Sequence, residues 1–140
     1  MPFNLTKLIQ PAVLSAGLLF ASFSASQAAE TGIYGNWVAE RIQGQKVSAK
    51  VQSTLDIAKD GNISGNAGCN QYMGGMQIKG ETIKLQPAGS TRMACPPAQM
   101  QQDSNFHEAL GTVTSWKISK GKLILTDAKK REVLRLKRAQ

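Results

Sequence analysis

Gly68-Cys69-Asn70-Gln71-Tyr72-Met73-Gly74-Gly75 and Ser90-Thr91-Arg92-Met93-Ala94-Cys95 are the two phrases on which the reading of this chain turns. Between them they hold both of its cysteines. The glycines at 65, 68, 74 and 75 invite a phosphate-loop reading, but no Gly-Lys-Ser/Thr follows and the flanking residues suit strands, not a strand leading into a helix. Glycines so placed serve bulges and tight strand bends. Met76–Lys79 and Thr82–Leu85 alternate apolar and polar side chains about a Gly80-Glu81 turn, which predicts a hairpin. Upstream, Thr54-Leu55-Asp56-Ile57 alternates in the same way, Asp60-Gly61 supplies a turn, and Ile63 resumes an extended run. A further strand through Thr91 and Met93 is expected to end at Cys95, where Pro96-Pro97 stops it.

The rest of the chain fits around this centre. Tyr34-Gly35-Asn36-Trp37-Val38 to Ile42 is an aromatic and β-branched run that suits a first strand, broken by Gln43-Gly44. Proline is well placed in the first turn of a helix, so a helix is predicted from Pro97 to about Leu110. Met100, Phe106, Ala109 and Leu110 form its apolar face; Gln101, Gln102, Asn105 and Glu108 stay wet, and Gly111 suits the stop. Trp116–Ile118 and Leu123–Leu125 are two more strands about Ser119–Lys122. Val133–Lys137 is the last, with Leu134 and Leu136 facing in and Arg135 and Lys137 facing out. The fold class is therefore mainly β with one helix: a small, strongly curved antiparallel sheet or barrel of seven to eight short strands, with one amphipathic helix packed on it.

The two phrases, with Gly35-Asn36-Trp37 before them and Phe106-His107-Glu108-Ala109-Leu110 after, resemble the META/HslJ domain family. Its members carry a G-C-N-x-[YF]-x-G segment followed by T-R-M-x-C. Gly68, Cys69, Asn70, Tyr72, Gly74, Thr91, Arg92, Met93 and Cys95 are the positions that match. The resemblance implies the curved sheet or barrel, a link to envelope or heat stress and, in some members, to antibiotic tolerance. It implies no agreed biochemical activity. Gly35-x-Trp37 is also similar to the opening of lipocalins, where the tryptophan closes one end of a ligand-binding barrel; as a lone residue Trp37 reads as a large core side chain at a barrel end.

Residues 1–28 read as a secretory signal peptide: Lys7, a short apolar run from Pro11 to Phe23, and a Ser26-Gln27-Ala28 cleavage site. The apolar run falls short of the roughly 20 residues that a membrane-spanning helix needs. Residues 29–140 are expected to form one soluble, monomeric domain, periplasmic or secreted, with no lipid anchor because no cysteine stands at the cleavage site. Without Lys7, sixteen basic residues face nine acidic ones, so the mature domain carries +7. That charge favours an anionic partner: a lipid or lipopolysaccharide surface or an acidic envelope protein, and not nucleic acid. Lys129, Lys130, Arg131, Arg135, Lys137 and Arg138 lie within ten residues and are the candidate cations for such a surface.

Two cysteines in an exported small domain predict a disulfide between Cys69 and Cys95, the alternative being two reduced, buried thiols. Cys69, His107 and Asp103 would supply a nucleophile, base and orienter if the thiol were free. A disulfide removes that reading, so no catalytic residue is assigned. His107 is the one histidine and is expected on the helix surface. No recognised ligand spacing surrounds it, so no metal or cofactor is assigned. Met73, Met76, Met93 and Met100 are soft donors of the kind that hold Cu(I), but methionine more often fills core gaps. Arg92 either points inward and pairs, with Asp56 and Glu40 as candidates, or adds to the basic surface. The function that follows is a non-enzymatic envelope domain acting through protein or surface contacts. The alternative is a binder of a small apolar ligand inside the barrel, which requires that Trp37, Ile57, Leu85, Trp116, Leu125 and Leu136 leave a hollow interior.

Overall fold

A computed structural model describes residues 32–140, with Ala12 and Gly17 before them. Apart from those two positions the expected signal peptide, residues 1–28, lies outside the described residues. The strands are β1 (Gly35–Ile42), β2 (Gln45–Lys46), β3 (Thr54–Ile57), β4 (Asn62–Asn66), β5 (Gln71–Lys79) and β6 (Thr82–Ser90). The helix α1 (Pro97–Gly111) follows, then β7 (Ser115–Ser119), β8 (Lys122–Thr126) and β9 (Glu132–Arg138). Every pairing is antiparallel, and β9 returns to pair with β1, so β1 and β3 to β9 close a ring of eight strands. β2 adds two residues beside the second half of β1. Among the described residues no helix is long and apolar enough to cross a membrane.

Closure is uneven. β6 and β7 share only the Thr82↔Ser115 register pair, flanked by hydrogen bonds from Ile83 N to Thr114 O and from Trp116 N to Glu81 O. Farther along β6 the seam is open. The helix α1 crosses the end of the barrel where the β4–β5 turn lies and buries Phe106, Ala109 and Leu110 in the common core.

That core is one continuous cluster. Trp37, Ile57, Trp116, Leu125 and Leu136 are buried in it, and Leu85 packs half-buried at its margin. The interior is thus occupied by side chains, and the clefts open at the barrel's ends and outer wall. Trp37 donates from Nε1 to Ile33 O at 2.8 Å, which ties the chain before β1 to the barrel end.

Three local expectations need correction. Met100 is 42% exposed, because the inward position of that turn belongs to Asp103, whose carboxylate is required at the β4–β5 turn. Gln102 is not wet: it donates to Val51 O and Ser53 Oγ at 2.8 and 2.9 Å. The strand expected through Met93 stops at Ser90, and residues 91–96 form an irregular segment: Thr91 N still reaches Gln71 O of β5, but beyond it Met93 N turns to the Asn70 side chain instead of a strand.

Candidate functional site

The matched phrases assemble into a latch. Cys69 and Cys95 form the disulfide, with Cα atoms 6.0 Å apart. Asp103 of α1 reaches under the β4–β5 turn, where its Oδ2 accepts from the backbone N–H groups of Cys69 at 2.9 Å and Asn70 at 2.6 Å. The Asn70 carboxamide oxygen in turn accepts from Met93 N at 2.6 Å and from Thr91 Oγ1 at 3.0 Å. Gly68 is required by sterics: at φ +145° a Cβ would lie 2.9 Å from the backbone nitrogen of Asp103. Tyr72 sends its hydroxyl to Thr54 O at 2.6 Å. Burial, with Asp56 nearby, pushes that hydroxyl far above the ordinary phenol range, so it acts as a neutral donor.

The geometry brings Cys69, Asp103 and His107 to one place, as a thiol triad would require, but spends each on structure. The thiol is oxidised, and one carboxylate oxygen is occupied by two backbone donors. His107 is half-buried, not a surface group: its ring lies edge-on to Tyr72, and its enclosed Nε2 stands 3.6 Å from Asp103 Oδ1 without a hydrogen bond. Arg92 points to solvent. Among the described methionines only Met76 fills the core; Met73 is 64% exposed, and Met93 and Met100 are exposed with it. Among the described residues no three His, Cys, Asp or Glu side chains cluster as metal ligands.

The C-terminal cations do not form one patch. Lys129, Lys130 and Arg131 sit in the β8–β9 turn, where Arg131 pairs with Asp127 at 2.8 Å. Its two backbone donors and this guanidinium hold the Asp127 carboxyl below the usual carboxylate range. Arg138 lies at the opposite end of β9 and folds over the barrel mouth. It stacks 4.0 Å from the centre of the Trp37 ring and donates to Tyr34 O and Gly32 O at 2.6 and 2.7 Å. It borders an end cleft of about 780 Å³ floored by Trp37, Trp116, Ile78 and Ile118.

Arg135 and Lys137 lie instead on the outer wall, with two cations that the sequence did not single out. Arg41 of β1 stands directly opposite Arg135 of β9 on one side and Lys46 of β2 on the other; Lys137 stands opposite Val38. A bulge causes this. Trp37 and Ala39 face inward, so strict alternation would turn Arg41 inward too; the register shift between Ala39 and Arg41 brings Ile42 inside and Arg41 outside. A groove of about 540 Å³ runs between these cations.

A family model, META domain, matches residues 30–140. The chain belongs to the META domain family. The resemblance carried by Gly68–Gly74 and Thr91–Cys95 is thereby borne out, and those residues are the latch. No curated protein matches the chain. The META domain is similar to an NMR structure of a protein from Burkholderia xenovorans, at TM-score 0.64 and 20% identity, covering 100% of this chain and 99% of that one. It is also similar to a second protein solved by NMR, at TM-score 0.59 and 24% identity, covering 74% and 88%. Likeness at such identity shows the fold alone.

Proposed function

We propose that this META domain is exported to the cell envelope and acts there by binding an anionic surface, not by catalysis. The observation that carries the reading is the outer wall, where Lys46, Arg41 and Arg135 stand in direct register on three adjacent strands. Like charges directly opposite one another destabilise a sheet. A wall that retains them is suited to an anion that relieves the repulsion. The non-catalytic part of the reading rests on the latch, in which the candidate nucleophile is a disulfide sulfur.

The test is sedimentation of the mature protein with isolated cell envelopes. Co-sedimentation at low ionic strength and release as added salt shortens the Debye length support the reading. Protein that stays in the supernatant at low salt refutes it. Alkylation without reductant should find no free thiol; a reactive Cys69 would reopen the enzyme reading. A second reading, a small apolar ligand, is favoured by the aromatic floor of the end cleft, whose volume lies within the range of small-molecule sites. It would show as quenching of Trp37 and Trp116 fluorescence on titration with a fatty acid.

A further inference from the structure

We propose that the groove among β1, β2 and β9 is a docking site for phosphate groups of a lipid surface. The proposal rests on the anionic-surface reading and gives that reading a place and a ligand chemistry. Across the groove, Lys46 to Arg135 spans two strand spacings, about 10 Å, and Lys137 lies two residues along β9, roughly 7 Å away. The cations thus cover a patch of headgroup size.

Their charge is largely uncompensated. Arg135 is held by Glu132, from Nε to Oε1 at 2.6 Å, and Glu40, the acid beside the groove, is engaged by Lys122. Arg41 makes only a 3.3 Å contact to Gly44 O, and Lys46 and Lys137 enter no ion pair among the described residues. The free guanidinium fork of Arg41 suits the paired oxygens of a phosphate, and Lys46 and Lys137 add point charges at the rim. The floor favours a lipid over a soluble polyanion. Half-buried Val38 and Val47, with buried Val51, lay an apolar strip beneath the cationic rim alongside the polar Ser48 and Gln52, a mixture that matches the boundary of headgroup and acyl chain.

Flotation with vesicles of equal parts phosphatidylcholine and phosphatidylglycerol tests this, with phosphatidylcholine vesicles as the blank. Three proteins are compared: the wild type; Arg41→Gln/Lys46→Gln/Lys137→Gln; and Lys59→Gln/Lys79→Gln/Lys84→Gln, which has the same net charge but changes exposed lysines elsewhere on the barrel. Each groove cation is worth about fivefold in partition, so the groove variant should bind about a hundredfold more weakly, and the control variant within about fivefold of wild type. Equal losses in the two variants would overturn the groove while leaving the broader surface reading intact. Failure of the wild type to bind anionic vesicles or envelopes at low salt would sink that broader reading. Binding of soluble inorganic polyphosphate in preference to the vesicles would overturn the lipid assignment. Removing facing cations relieves repulsion, so the groove variant should melt no lower than wild type; should it misfold, Lys46→Gln alone, on the two-residue β2, carries the test with its fivefold loss.

Discussion

Replacing Asp103 by alanine should cost this domain a large part of its stability, because one carboxylate oxygen fastens α1 to the β4–β5 turn. Two hydrogen bonds from buried backbone donors, those of Cys69 and Asn70, end on Asp103 Oδ2. A hydrogen bond to a charged acceptor contributes about 1.5–3 kcal/mol, and a donor left unpaired inside a fold loses its full hydration. Two such donors therefore predict a loss of roughly 3–5 kcal/mol, the upper sum being trimmed by water entering the gap. Alanine is the better helix former, so the helix itself should gain a few tenths of a kcal/mol, and any loss must be tertiary. For a domain of this size the loss lowers the melting temperature by roughly 12–25 °C. Asp103→Asn, which keeps an acceptor oxygen but not the charge, should fall about midway, and Glu108→Ala on the exposed face of α1 should melt within about 2 °C of wild type. Circular dichroism melts of the oxidised proteins measure all three. An Asp103→Ala protein that melts within about 3 °C of wild type would refute the assignment of the carboxylate as the fastening of the latch.

Reduction of the Cys69–Cys95 bridge, which closes a loop of 26 residues, should destabilise the domain by about 3.5 kcal/mol, read as a lower urea midpoint in reductant. An unchanged midpoint would mean that the bonds from Asn70 and Gln71 alone hold residues 91–96. At the barrel end, Gly35→Ala would place a Cβ 2.6 Å from Arg138 Nη1, at a φ of +123°. It should therefore cost more in wild type than in Arg138→Ala, whose own loss is about 1 kcal/mol for an exposed stacked cation. Strict additivity of the two would remove the contact from the argument. Asp127 has a folded pKa below its ordinary value of 3.8, so the stability it contributes is present above that value and is lost as pH falls through the folded pKa. Asp127→Asn should lack this acid-limb loss, and parallel melting-temperature profiles for variant and wild type below pH 4 would contradict it.

Much of the barrel was legible because its hairpins are local. Asp60-Gly61 and Gly80-Glu81 sit between runs that alternate cleanly, and those runs became β3 with β4 and β5 with β6. Trp37 was legible as a barrel-end core residue because a lone tryptophan in a strand most often serves the core, and it is 1% exposed here. The latch was legible only as a pair of cysteines. That Asp103 and Asn70 organise it could not be read from spacing, since each acts on backbone groups far along the chain, and helical spacing that admits Met100 to the apolar face does not show that Asp103 holds that turn. One signal was available: an acid at position 103, within the apolar arc of a helix otherwise read as amphipathic, is a charge that must be satisfied where it is buried.

The cationic wall shows where sequence proximity misleads about charge. Arg138 and Lys137 are neighbours in the chain, yet alternation along β9 sends Lys137 to the outer wall and Arg138 to the mouth over Trp37. Lys130 sits in the turn before β9, and the strand from Glu132 to Lys137 alone spans roughly 17 Å, well beyond the ~8 Å over which exposed charges act at physiological salt. The run of basic residues therefore has no common field. Arg41, nearly a hundred positions earlier, does share one with Arg135, and two facts invisible to local patterning bring them together: closure of the ring through β1 and β9, and the bulge that turns Arg41 outward. Deleting Glu40, the extra residue of the bulge, would join Ala39 directly to Arg41 and leave a regular strand with Arg41 still outside and Ile42 still inside. The loss in urea unfolding should then be modest, about 1–2 kcal/mol for the Glu40–Lys122 pair and the bond from Val47 N to Glu40 O. A loss larger by several kcal/mol, the cost of burying an unpaired Arg41, would mean that something other than the register shift sets the phase of β1.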